Sequence, residues 1–176
     1  MLLKLVIAAV LALGLDLPVS QAMVRNHVLG SLHQFLESME PFGQPPAVVA
    51  VSLAVLFCAG ARRGVGFRIA ATALLSGLAI DVLKLGIART RPRDFDFQGS
   101  VLNTFHGFFP GANGGYSLQS WPSGHSAVAV GFALALTAIF PRGRCLFTAL
   151  AGLVMLQRIE TGAHYLSDTL TSAAVA

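Results

Sequence analysis

Five long apolar stretches separated by polar breaks dominate the chain, at residues 2–22, 46–61, 67–88, 124–140 and 145–161. Crossing the hydrocarbon of a bilayer takes about 20 apolar residues as α-helix, and bundles accommodate somewhat shorter runs. Each stretch therefore predicts a transmembrane helix. A sixth run begins near Tyr165 and stops at Ala176, short of a full crossing, so a last helix cut short belongs to the reading. The expected fold class is all-α, a polytopic membrane helical bundle of about six transmembrane helices. Residues 1–176 are taken as a single membrane-embedded domain.

The breaks carry their own information. Lys4, an apolar run and the triplet Ser20-Gln21-Ala22 also resemble a secretory signal with its cleavage site, interrupted by Asp16 and Pro18. An uncleaved first helix is the reading adopted, because it gives an even number of segments. Between Val24 and Pro46 the chain is more polar, and Val28, Leu32, Phe35, Leu36 and Met39 fall at helical spacing, as in an amphipathic helix lying along the interface. From Arg93 to Trp121 no helical period survives among Gly, Phe, Asn and Ser, which predicts a long outer loop able to cover a site. There is no internal repeat.

Composition sharpens this picture. The chain is 55% hydrophobic and 11% charged, with a mean hydropathy of +0.70, whereas soluble domains carry roughly 25% charged residues. Its twelve Lys and Arg are scattered among apolar segments rather than gathered on a face, which excludes a nucleic-acid partner. Cys58 and Cys145 lie in apolar runs without metal-ligand spacing and are expected to be buried packing residues. With the N-terminus inside, Lys4, Arg62, Arg63, Arg68, Arg142 and Arg144 fall on the inner side, the basic bias of cytoplasmic loops. Lys84, Arg89, Arg91, Arg93 and Arg158 fall on the outer side against that rule, so they need another reason to exist.

Three polar clusters share that outer side. In "KLGIARTRP", Lys84 and Arg91 are seven residues apart, and two helical turns would aim both at one object before Pro92 ends the helix. Asp81 is placed to pair with Lys84. In "WPSGHS", Ser123 is suited to cap the helix that follows, Gly124 lets the backbone approach a ligand, and His125 stands at the edge of an N-terminal anion site. In "RIETGAHYLSD", His164 and Asp168 are spaced so that, on a helix, the carboxylate accepts from one ring nitrogen and frees the other as nucleophile. Gly162 is expected to bend the chain and bring Arg158 to them. Singly, each cluster also has a structural explanation as snorkelling cations, a helix cap or a self-satisfied pair. Together they converge on one anion, and phosphate is the natural choice.

On these residues the chain resembles the type 2 phosphatidate phosphatase and vanadium haloperoxidase superfamily. The family pattern is Lys, six residues, Arg-Pro; then Pro-Ser-Gly-His; then Ser-Arg, five residues, His, three residues, Asp. It is matched here by Lys84, Arg91-Pro92, Pro122-Ser123-Gly124-His125, Arg158, His164 and Asp168, with Gln157 in place of the serine. Glu160, Arg89 and Arg93 match no signature position and are expected to tune the site or line its entrance.

The resemblance implies a catalytic set and a cage. His164 is the nucleophile at phosphorus, Asp168 fixes its tautomer, and His125 protonates the leaving oxygen. Lys84, Arg91, Ser123, Gly124 and Arg158 bind the phosphate oxygens. Phosphoryl transfer is mainly positioning and charge stabilisation, so this cage is expected to act without a metal or other cofactor. The expected function is an integral membrane phosphatase acting on a lipid phosphate or pyrophosphate monoester from the periplasmic face of a bacterial inner membrane. Its partners are that lipid and the bilayer. The competing function is a non-catalytic phosphate- or lipid-binding or transport protein using the same cage, for which loss of His164 or His125 would speak; both are present.

Overall fold

The computed structural model describes residues 2–25, 30–58, 64–109 and 115–176. They form seven α-helices: α1 (Leu2–Arg25), α2 (Gly30–Met39), α3 (Pro45–Cys58), α4 (Gly64–Lys84), α5 (Gly124–Ile139), α6 (Arg144–Glu160) and α7 (Leu166–Val175). Two short strands, β1 (Ile87–Arg89) and β2 (Phe105–Phe108), pair antiparallel. The chain is thus a helical membrane bundle with a small hairpin at one end.

All six apolar runs became helices, though of unequal length. Among the described residues only α1 and α4, with 24 and 21 residues, are individually long and apolar enough to span. The turn Glu40–Gly43 follows α2, and this unit together with α3 is also long and apolar enough to span, bent by 61°. Pro41, Pro45 and Pro46 account for the break, since each lacks the N–H that a continuous helix would use. α2 is the expected amphipathic helix, with Leu36 buried and Leu32 and Phe35 exposed; Val28 lies outside the described residues.

α5 sits at the centre. Its Val128 and Phe132 pack with Val48 of α3 and Ile69 and Ala73 of α4, and its Ala129 and Ala133 meet Ala151 and Val154 of α6. Small residues let helices approach where lipid supplies no hydrophobic drive to associate. The outer faces of α1 and α4 present Leu3, Leu11, Phe67 and Leu75, as lipid-facing sides should. Cys58 and Cys145 are exposed, contrary to expectation: one ends α3 and the other opens α6, where an apolar run in lipid has as much outer as inner surface.

α4 ends four residues earlier than its apolar run. Ile87 and Ala88 go into β1 instead, so Lys84 and Arg91 do not share a helix face. The loop beyond Arg93 is likewise more ordered than expected, because β2 returns within it to pair with β1. Arg62 and Arg63, two of the inner cations, lie outside the described residues.

Candidate active site

The C-terminal ends of α4 and α6 and the N-terminal ends of α5 and α7 meet at the hairpin end of the bundle, which is how residues from three distant clusters come together. Lys84 ends α4, 3.9 Å from Asp81. Its Nζ lies 3.6 Å from where a Cβ on Gly124 would be, so the ammonium faces the first turn of α5. Ser123 caps that turn, its Oγ accepting from the Ser126 amide, while its own N–H donates to Ser172 Oγ of α7 at 2.8 Å. Lys84, Gly124, His125 and Gly43 line a cavity of about 320 Å³.

Arg91 leaves β1 in extended backbone and is held by three carbonyls, those of Tyr116, Ala163 and Gln119 at 3.0, 3.3 and 3.2 Å. Its guanidinium lies over the Tyr116 ring, 3.8 Å from the centroid. Five N–H groups are available to an arginine, so two remain for a ligand. Burial lowers the proton affinity of Arg91, which strengthens its interest in an anion.

Beyond α6, Gly162 adopts φ +63°, a left-handed turn that an L side chain would strain. The Ala163 and His164 amides both return to the Arg158 carbonyl. This is the bend expected from the sequence, and it sets His164 beside Arg158 rather than a turn away. The charges of Arg91, Lys84 and Arg158 all reach the His164 ring.

His164 and Asp168 meet differently from the expectation. The ring Nδ1 is 2.5 Å from the Ser120 carbonyl oxygen, whereas the Asp168 carboxylate is 4.0 Å away. His164 precedes the helix, whose N-cap is Tyr165, so the i, i+4 geometry of a continuous helix does not apply. Asp168 instead accepts from Ser120 Oγ at 2.6 Å and from the Tyr165 amide at 2.9 Å, bracing the residue that braces the histidine. A carbonyl only accepts, so Nδ1 must carry the hydrogen and Nε2 the lone pair. Burial holds His164 well below the ordinary imidazole pKa, the Arg91, Lys84 and Arg158 charges add to this, and the Ser120 hydrogen bond opposes it.

Behind Asp168 lies a buried network that sequence reasoning missed. Arg89, expected to tune the site or line its entrance, is fully buried. It donates to Asp168 Oδ1, to Asp16 Oδ2 at 2.7 Å, to Thr104 at 3.0 Å and to Ser167 at 2.9 Å, with the Phe105 and Tyr165 rings against its guanidinium. The two carboxylates outweigh the cost of its burial and raise its pKa. Asp16, inside the signal-like first segment, also accepts from the amide and hydroxyl of Ser167. Glu160 and Arg93 line a separate cavity of about 470 Å³, shared with His33 and Thr161. Gln157, the one departure from the signature, receives Arg158 Nε and donates to Glu40.

A family model for the PAP2 superfamily matches residues 65–176, and the chain belongs to that superfamily. Among curated proteins it is 36% identical to a lipid A 1-phosphatase of Rhizobium etli over 110 residues, 62% of this chain and 45% of that protein. A lipid A 1-phosphatase of Rhizobium johnstonii is also 36% identical, over 58% of this chain and 40% of the relative. The chain thus spans less than half the length of these relatives. Among solved structures, LpxE of Aquifex aeolicus superposes with a TM-score of 0.64 at 16% identity, over 92% of this chain and 89% of that one. A transmembrane PAP2 type phosphatidylglycerolphosphate phosphatase of Bacillus subtilis gives 0.64 at 18%, over 98% and 89%. At such identities the likeness is one of fold.

Proposed function

We propose that this membrane protein is a phosphatase that hydrolyses a lipid phosphate through a phosphohistidine on His164. The observation that carries the reading is the pinning of His164 Nδ1 on the Ser120 carbonyl, which leaves a neutral Nε2 lone pair among the Lys84, Arg91 and Arg158 charges. In the first step Nε2 bonds to phosphorus as the bond to the lipid oxygen breaks, and His125 gives that oxygen a proton. In the second step water attacks phosphorus with His125 as base, the P–N bond breaks, and phosphate leaves. Lys84, Arg91, Arg158, Ser123 and the Gly124 amide hold the equatorial oxygens throughout. Asp168 acts on His164 through Ser120, and its position makes it an orienting group rather than a proton carrier.

The curated relatives favour a phosphate on a lipid A type glycolipid as substrate, ahead of phosphatidate, phosphatidylglycerol phosphate or undecaprenyl pyrophosphate. A site at the outer end of the bundle suits a headgroup presented at the periplasmic face while the acyl chains stay in the bilayer. The test is release of inorganic phosphate from this panel by protein purified in detergent, with EDTA present. Release from at least one lipid, lost in His164→Ala, is expected. Binding of orthovanadate without turnover of any substrate would instead identify a non-catalytic anion carrier, and activity abolished by EDTA and restored by a divalent ion would overturn the metal-free mechanism.

A further inference from the structure

Glu40 opens the turn Glu40–Gly43 between α2 and α3, outside the stretch matched by the family model. Its carboxylate is engaged on both oxygens. Oε1 accepts from the Gln44 amide at 3.0 Å and faces His125 Nε2 at 3.4 Å. Oε2 holds Arg158 Nη2 at 2.9 Å and accepts from the Gln157 amide at 3.3 Å. The turn has little room to drift, since a Cβ on Gly43 would lie 2.7 Å from the His125 carbonyl oxygen and 2.8 Å from Val154. Phe42 in the same turn packs on Phe132 of α5, with ring centroids 4.8 Å apart.

A carboxylate so placed has two chemical roles open to it. It can stand in for phosphate until substrate displaces it, or it can serve the imidazole beside it. Its other partners decide between these. The Gln44 and Gln157 amides give Glu40 hydrogen bonds independent of the phosphate cage, so phosphate entry does not require it to leave.

We propose that Glu40 is the positioning residue for the general acid, holding His125 by Nε2 so that Nδ1 faces the leaving oxygen. This rests on the phosphatase reading above. The charged groups facing His125 are Arg158 from α6, Glu40 from the turn, Lys84 from α4 and Arg91 from the segment after β1. Three are cations, which favour a neutral ring, and the carboxylate is the one that favours the protonated form. In the forward step the Nδ1 proton passes to the lipid oxygen as the P–O bond breaks and the bond from His164 Nε2 to phosphorus forms. In the return step Nδ1 takes a proton from water as its oxygen bonds to phosphorus and the P–N bond breaks.

The experiment compares wild type, Glu40→Gln, Glu40→Asp, His125→Ala and the Glu40→Gln/His125→Ala double variant. For each, kcat and KM are measured on an alkyl lipid phosphate and on p-nitrophenyl phosphate, whose leaving group needs little acid assistance. Glu40→Gln should lower kcat on the lipid about 10- to 100-fold, within what a general acid contributes, and far less on the aryl ester. KM should change little, because the lost interaction acts in the transition state. The alkaline limb of kcat should move to lower pH, since an acid without its carboxylate loses its proton sooner. In the His125→Ala background Glu40→Gln should have no further effect. Glu40→Asp, which keeps the charge, should fall between, and it supplies the same substrate ratio if the glutamine variant does not fold. Equal losses on both esters, losses that add to those of His125→Ala, or a gain of activity on removing the carboxylate would overturn the proposal. A wild type inactive on every ester would overturn the phosphatase reading itself.

Discussion

Replacing Asp16 by alanine removes a buried carboxylate from the middle of α1 and leaves Arg89 with Asp168 alone. Breaking a buried ion pair by deleting one partner costs about 3–5 kcal/mol, and the surviving Asp168 contact places this case at the low end, about 3 kcal/mol. The Ser167 amide and hydroxyl, which both donate to Asp16, lose their acceptor at once. The hydroxyl can rotate toward another acceptor but the amide cannot, and one buried donor left unsatisfied costs about 1–3 kcal/mol, giving about 4–6 kcal/mol in all. Against a typical stability of about 5–15 kcal/mol this is a large fraction. At about 2–4 °C per kcal/mol for a chain of this size, the melting temperature in detergent should fall by about 10–20 °C. Asp16→Asn keeps an oxygen for Ser167 and loses only the charge, so it should fall between the alanine variant and wild type. Thermal unfolding followed by Trp121 fluorescence, with phosphate release measured well below the transition, reads both effects. An alanine variant that melts with wild type and retains its activity would refute the view that α1 is tied to the site through Arg89.

Ser120→Ala and Asp168→Asn should each lower kcat, and the double variant should lose little more than the worse single one, because both act on His164 along one path; additive losses would separate them. Wild type should lose thermal stability as the pH falls from about 7 to about 5, because a histidine held neutral in the fold gains a proton on unfolding below about pH 6.5. His164→Gln should lose less over the same interval, and parallel curves would count against a neutral His164. After Cys58 and Cys145 are replaced, a cysteine at position 99 should react with an impermeant reagent in intact cells and one at position 142 should not; the reverse pattern would invert the topology.

The apolar runs placed the helices within a few residues, because lipid demands long uninterrupted stretches and the chain supplies them. α4 was overextended since Leu85, Ile87 and Ala88 continue its apolar run, and hydropathy alone does not tell a helical turn from a short strand. The signature clusters could be picked out because their internal spacing is short, and the glycine at 162, left-handed in the structure, marked the bend after Arg158. What stayed hidden were contacts across long separations: Asp16 with Ser167, Glu40 with Arg158, and Ser120 with His164. One signal was present, since an aspartate at the middle of an apolar span is costly in lipid unless a partner awaits it.

Those hidden contacts bear on why the first three helices matter to a site whose signature begins in α4. Asp16 and Asp168 flank the single guanidinium of Arg89, so the buried network behind His164 sets two carboxyl groups against one cation. In the proposed mechanism His164 becomes positively charged as it bonds to phosphorus, in surroundings where Arg91, Lys84 and Arg158 resist a further cation. A lone neutral Arg89–Asp168 pair would offset little of that. With Asp16 sharing Arg89, the Asp168 carboxylate is less fully committed to that cation and can act through Ser120 on the ring, at short range and in a medium of low dielectric. Glu40 does the corresponding work on the opposite side of the cage, facing His125 from the turn before α3. On the proposed mechanism the N-terminal elements therefore support the two histidines from behind, while α4 to α7 carry the cage proposed for phosphate.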